Sequence, residues 1–130
     1  MLKMLESPDD VLAAEVAGKI TGGDLDVIMD RLDAAMARHD KVHVFVETKS
    51  IHGLEVAGLP SYVGRALPLF GELHRFGRVA VVADQAWIRA GTRLESALMP
   101  NVSYRTYMPE EREEALAWVT AAAVHIPRRV

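Results

Sequence analysis

The amino-acid sequence predicts an α/β domain: a mostly parallel five-stranded sheet that begins with an antiparallel hairpin, in the element order ββαβαβαβα. Three observations carry that expectation. Short apolar runs with strand-like alternation are separated by longer stretches in which apolar residues recur at helical spacing. Strands that alternate with helices pair in parallel through right-handed crossovers. The first two strand-like runs, by contrast, are divided only by Ser7-Pro8-Asp9-Asp10, a turn signal too short for a crossover. At 130 residues the chain has the size of one ordinary domain, 1–130, with enough length to bury a core.

The elements follow in order. Leu2–Leu5 reads as a short strand, and Val11–Ala17 as its hairpin partner. In the second run Leu12, Ala14 and Val16 share one face, and Val11, Ala13 and Glu15 the other. Gly18 to Gly23 is expected to be a loop. Thr21 is a good N-cap for the first helix, with Asp24 three residues on as capping-box partner. Leu25, Ile28, Met29, Leu32, Ala35 and Met36 then recur at helical spacing, and the helix should end near His39-Asp40. Lys41–Glu47 reads as a strand, and Thr48 to Gly58 as a loop. Pro60 opens a helix whose apolar stripe is Tyr62, Val63, Ala66, Leu67, Phe70 and Leu73, with Pro68 placed to kink it. Arg78–Asp84 is the most apolar strand, Gln85–Leu98 a helix ended by Pro100-Asn101, and Val102–Tyr107 the last strand. Pro109-Glu110-Glu111 opens a final helix with acidic residues at its positive dipole end, followed by Ala115, Leu116, Val119 and Ala122 at apolar positions.

Strands buried on both faces read as continuous apolar runs. Only Val79–Ala83 does so; the others mix in Glu15, His43, Glu47, Ser103 and Arg105. The expectation is therefore a sheet with helices mainly on one face and a second face that is semi-polar and partly open.

Composition excludes several classes of function. Half the residues are hydrophobic and a quarter charged, with a net charge of −3. There is no basic stripe to release counterions from a phosphate backbone, which argues against nucleic-acid binding; Arg128-Arg129 reads as a solubilising end. The absence of cysteine removes disulfides, thiolate metal sites and cysteine nucleophiles. The N-terminus is too soon charged for a signal peptide, and no apolar run approaches a membrane span of roughly 20 residues. The expected protein is soluble and cytoplasmic, with no stable membrane insertion. His39, His43, His52, His74 and His125 form no pair at metal-ligand spacing, and no phosphate loop is present, so no metal or cofactor is implied.

Ligands of open α/β sheets bind at the carboxyl ends of the strands. Glu47 and His52 flank the end of one strand; Asp84 ends the next, and Trp87 follows it. These four are candidates to line a cleft, and an enzyme would need Glu47, His52 and Asp84 to converge. Their plainer roles are structural: Asp84 as a helix cap, Trp87 as core, Glu47 and His52 as solvated loop-edge residues. The Tyr62, Leu67 and Phe70 helix carries surplus apolar surface, since Leu69 falls off the main stripe. That surplus fits a kinked stripe, a partner interface or a pocket for a small apolar, lipid-like ligand.

The chain also resembles the SpoIIAA-like family, related to STAS domains. The resemblance is carried by Ala14-Glu15-Val16-Ala17-Gly18-Lys19-Ile20-Thr21, by Val42-His43-Val44-Phe45-Val46-Glu47, by Arg78-Val79-Ala80-Val81-Val82-Ala83-Asp84 with Trp87-Ile88, and by Glu114-Ala115-Leu116-Ala117-Trp118-Val119. It implies a right-handed β/α superhelix and a non-catalytic role as a protein-interaction or regulatory module. The phosphoswitch serine of such domains, usually in an Asp-Ser context, has no match; Ser50 and Ser61 only approximate its position. The resulting expectation is an interaction module with a protein partner and a homodimeric state. The dimer rests on the semi-polar face and on the apolar surface around Leu67–Phe70.

Overall fold

Alternation in Val11–Val16 sends apolar side chains to both faces of a strand, so this strand needs cover on each side. It receives it. The computed structural model describes residues 1–55, 60, 64–65, 67–68, 74–98 and 102–124. Its strands are β1 (Leu2–Met4), β2 (Val11–Ile20), β3 (Val42–Leu54), β4 (Phe76–Ala83) and β5 (Ser103–Tyr107), in the sheet order β1-β2-β3-β4-β5. β1 runs antiparallel to β2, while β2–β3, β3–β4 and β4–β5 are parallel. The expected hairpin and mostly parallel sheet are therefore present. The described helices are α1 (Gly22–Arg38), α2 (Ala86–Leu98) and α3 (Arg112–Val124), the last preceded by a 3₁₀ turn at Pro109–Glu111.

The α1 terminus forms as its local sequence dictates. The Thr21 hydroxyl accepts from the Asp24 amide at 3.1 Å, and the Asp24 carboxylate accepts from the Thr21 amide at 3.0 Å. At the other end Arg75 donates to the His39 carbonyl at 2.7 Å and also to that of Met36, satisfying carbonyls the helix leaves free. Arg65 reaches Asp30 and Asp33 of α1 at 2.9 and 2.8 Å, and these hydrogen bonds raise its pKa further above the usual arginine range, Asp33 foremost.

Two apolar clusters sandwich the sheet. Leu12 and Val42 meet Met29, Leu32 and Ala35 of α1 on one face. Val11, Ala13, Phe45, Ala80, Val82 and Tyr107 meet Ala115 and Val119 of α3 on the other. Tyr104 and Thr106 alternate with Tyr107 and line a hollow with Thr92 and Arg93, so α2 lies on the α1 side.

The expectation of a partly open second face is thus corrected. Glu15, His43, Glu47, Ser103 and Arg105 do share one face, as alternation and register require, but α3 lies across it. The polar residues are accommodated because α3 and the strands supply partners. Arg78 donates to the Trp118 carbonyl at 2.7 Å, and the Arg78 and Arg105 guanidinium carbons lie 5.0 and 4.6 Å from the Trp118 ring centre.

Two loop expectations are corrected as well. β2 continues through Ile20, turning at Gly18 with φ +69°, where a side-chain-bearing residue would be strained. β3 continues through Leu54, with Lys19 opposite Gly53 and Ile20 opposite Leu54.

Candidate functional site

β3 outruns β4: the last paired residues are Thr48 and Ala83. Beyond that point side chains replace the missing ladder. The Ser50 amide donates to both Asp84 carboxylate oxygens at 3.1 and 3.0 Å, and the Ser50 hydroxyl to Oδ2 at 3.3 Å. The Gln85 side-chain amide accepts from the Ile51 amide at 2.8 Å and donates to the Ile51 carbonyl at 3.0 Å, as a strand neighbour would. Ser50 sits at φ +49°, so Asp84 holds it in an uncommon left-handed conformation. Asp84 therefore ties β4 to β3, and the expectation that it caps the following helix is corrected. A phosphate on Ser50 would bring roughly two negative charges against this carboxylate.

Glu47 departs furthest from its expected place at a solvated loop edge. It is 3% exposed, within β3, and faces α3. Its carboxylate accepts from Arg112 Nε at 2.6 Å. That hydrogen bond is the main cause holding the Arg112 guanidinium above the usual arginine range, opposed by its own partial burial. Arg112 also donates to Glu113 at 3.2 Å. Next to Glu47 across the β2–β3 ladder stands Glu15, itself paired with Lys49 at 3.2 Å. The result is a cluster of three carboxylates and two cations on the α3 side of the sheet, in which every carboxylate has a cationic partner.

His52 lies elsewhere. It is exposed, and its Nε2 would lie 3.4 Å from a Cβ at Gly18. Trp87 is not core: it is 64% exposed, in the first turn of α2 just beyond the carboxyl end of β4. Leu67 is 58% exposed, and Tyr62 and Phe70 lie outside the described residues. Asp84 and Trp87 thus come close in sequence and space, whereas Glu47 turns to α3 and His52 to β2. The Ser50 hydroxyl meets a carboxylate and no imidazole, so these groups do not assemble a nucleophile with its base. Among the described residues no group of three or more His, Asp or Glu is placed to hold a metal ion, and no helix is long and apolar enough to cross a membrane.

Arg112 carries no signal of its role in the local sequence. It follows Glu110 and Glu111 in a run that reads as a dipole-favoured helix start, and only the fold brings it to Glu47, 65 positions earlier.

A sequence model of the SpoIIAA-like family matches residues 11–120. Comparison with curated proteins gives no match. Among solved structures, the chain is similar to an uncharacterised protein from Shewanella loihica PV-4 with a SpoIIAA-like fold. The two share 22% identity over 92% of each chain, with a TM-score of 0.66.

Proposed function

The chain belongs to the SpoIIAA-like family, and from that premise we propose that it is a non-catalytic, STAS-type regulatory or interaction module that works through protein contact, in the first place with a second copy of itself. One observation carries this: the Asp84 carboxylate at the end of β4 is spent on Ser50 and the Glu47 carboxylate within β3 on Arg112, while Trp87, just beyond β4, is left 64% exposed. Exposed tryptophan is the residue type most enriched among interface anchors. The semi-polar sheet face, covered by α3, no longer supports a dimer; Trp87 takes its place as the anchor. A cysteine-free chain acting this way suits the cytoplasm.

Light scattering coupled to size exclusion tests the idea, with wild type compared with Trp87→Ser. Self-association predicts a concentration-dependent dimer for wild type and a monomer for the variant. A wild-type monomer throughout the micromolar range overturns it. The alternative of an apolar ligand carried near Tyr62–Phe70 draws no support from the described residues, since Leu67 points 58% of its surface to solvent. A co-purified lipid-sized mass in native mass spectrometry would favour that carrier instead.

A further inference from the structure

Between α2 and the edge strand β5 lies a hollow of about 160 Å³ lined by Thr92, Arg93, Tyr104 and Thr106. Its volume is about half the lower end of the range for drug-sized pockets, so it suits one small polar group. Arg93 is exceptional among the described arginines. The others all have a partner: Arg31 has backbone carbonyls, Arg38 has Asp9, Arg65 has Asp30 and Asp33, Arg75 the His39 carbonyl, Arg78 and Arg105 Trp118, Arg89 the Ala83 carbonyl, and Arg112 Glu47. Among the described residues, the Arg93 side chain has no hydrogen bond, ion pair or ring contact. It stands one helical turn from Arg89, a like-charged spacing that is mildly unfavourable unless an anion relieves it. On the opposite wall the half-buried Thr106 hydroxyl is likewise unengaged, whereas the buried Thr92 hydroxyl donates to the Ile88 carbonyl at 3.1 Å.

We propose that this hollow binds a small tetrahedral oxyanion of the phosphate type. Arg93 supplies a bidentate guanidinium fork from the helix, and Thr106 a hydroxyl donor from the strand. A planar carboxylate that fills the Arg93 fork has spent both oxygens. A tetrahedral anion keeps further oxygens for the opposite wall, so the two-walled lining favours it.

NMR titration of the full chain at constant ionic strength is the test, with inorganic phosphate, glycerol 3-phosphate and acetate as probes. Saturable shifts at the amides of Thr92, Arg93, Tyr104 and Thr106 are expected for phosphate, with a Kd on the order of 1 mM. Acetate should bind at least about tenfold more weakly. Stronger binding of inorganic phosphate marks a free-ion site, and stronger binding of glycerol 3-phosphate an esterified phosphoryl group. Arg93→Gln alters an exposed position and should weaken phosphate about tenfold while leaving the spectrum folded; Thr106→Val should weaken it less. The proposal fails if neither phosphate probe gives saturable shifts, if acetate equals them, or if folded Arg93→Gln binds like wild type.

Discussion

His43 fills a gap in the sheet. The β3–β4 register slips between Val42 and Val44, leaving Gly77 and Arg78 opposite one residue. The His43 ring turns into the bulge, and its Nδ1 accepts from the Arg78 amide at 2.9 Å. A Cβ at Gly77 would overlap this ring, so the ring's position requires glycine there. Because Nδ1 accepts, the folded ring carries its proton on Nε2 and is neutral. Burial pushes its pKa below the ordinary 6.5; Asp10 opposes that shift, while Arg78 and Lys41 add to it. The sign follows. A neutral ring favoured by the fold contributes stability that is complete above pH 6.5 and is lost as pH falls from there through the lower folded value. Urea titrations from about pH 7 to about pH 5 should show wild type losing more stability than His43→Asn, which keeps an acceptor but cannot titrate. Parallel profiles would remove His43 as the cause. The Glu47–Arg112 pair makes a second residue-scale prediction, set by unequal burial: the Glu47 side chain is 4% exposed and that of Arg112 31%. Arg112→Ala strands a buried carboxylate and should cost about 3 kcal/mol. Glu47→Gln leaves a partly exposed cation that water can reach and should cost roughly 1–2 kcal/mol. Chemical denaturation checks the order, and an inverted order refutes the role of burial.

At the scale of elements, the tail of β3 pairs with β2 on one side and on the other depends on two side chains. Asp84 and Gln85 act as a short stand-in for a strand along Ser50 and Ile51. Asp84→Ala should cost about 1 kcal/mol overall, because the site is exposed. The larger effect should be local: faster hydrogen exchange at the Ser50 amide, with Phe45 and Val46 unchanged. Equal acceleration along all of β3 would show that the tail and the strand open together. This element also shows why some of the fold was legible and some was not. The α1 capping box depends on Thr21 and Asp24 alone, three residues apart, and it was readable. Thr48-Lys49-Ser50-Ile51-His52-Gly53 has the polarity of a loop, and its pairing is imposed by residues 34 positions away. The candidate site divides in the same way. Topology placed Glu47, Asp84 and Trp87 near strand ends from sequence, but the partner each side chain takes is a tertiary fact. Trp87 sits on an apolar helical stripe and still faces solvent.

Across the whole molecule, one sheet serves two cores. β2 supplies Leu12 to the α1 side and Val11 and Ala13 to the α3 side; β3 supplies Val42 and Phe45 in the same divided way. Period-two alternation made this two-sidedness readable in β2. It did not reveal the cover on the polar side, because α3 offers small side chains, Ala115 and Val119, with Arg112 and Trp118 meeting the polar residues around them. Shared strands couple the two cores, since neither helix can leave without exposing a sheet the other still needs. Phe45 is fully buried, and Phe45→Ala should cost roughly 3–5 kcal/mol, a large share of the about 5–15 kcal/mol typical of a domain. The stronger prediction concerns cooperativity. Trp118, on α3, reports the Phe45 side through its fluorescence once Trp87→Phe removes the exposed emitter, whereas far-ultraviolet circular dichroism sums all helices. In the Phe45→Ala, Trp87→Phe double variant the two signals should lose amplitude at one urea midpoint lower than that of Trp87→Phe alone. If Trp118 is released first while most helical signal persists, the α1 side stands by itself and the sheet does not bind the two cores into one cooperative unit.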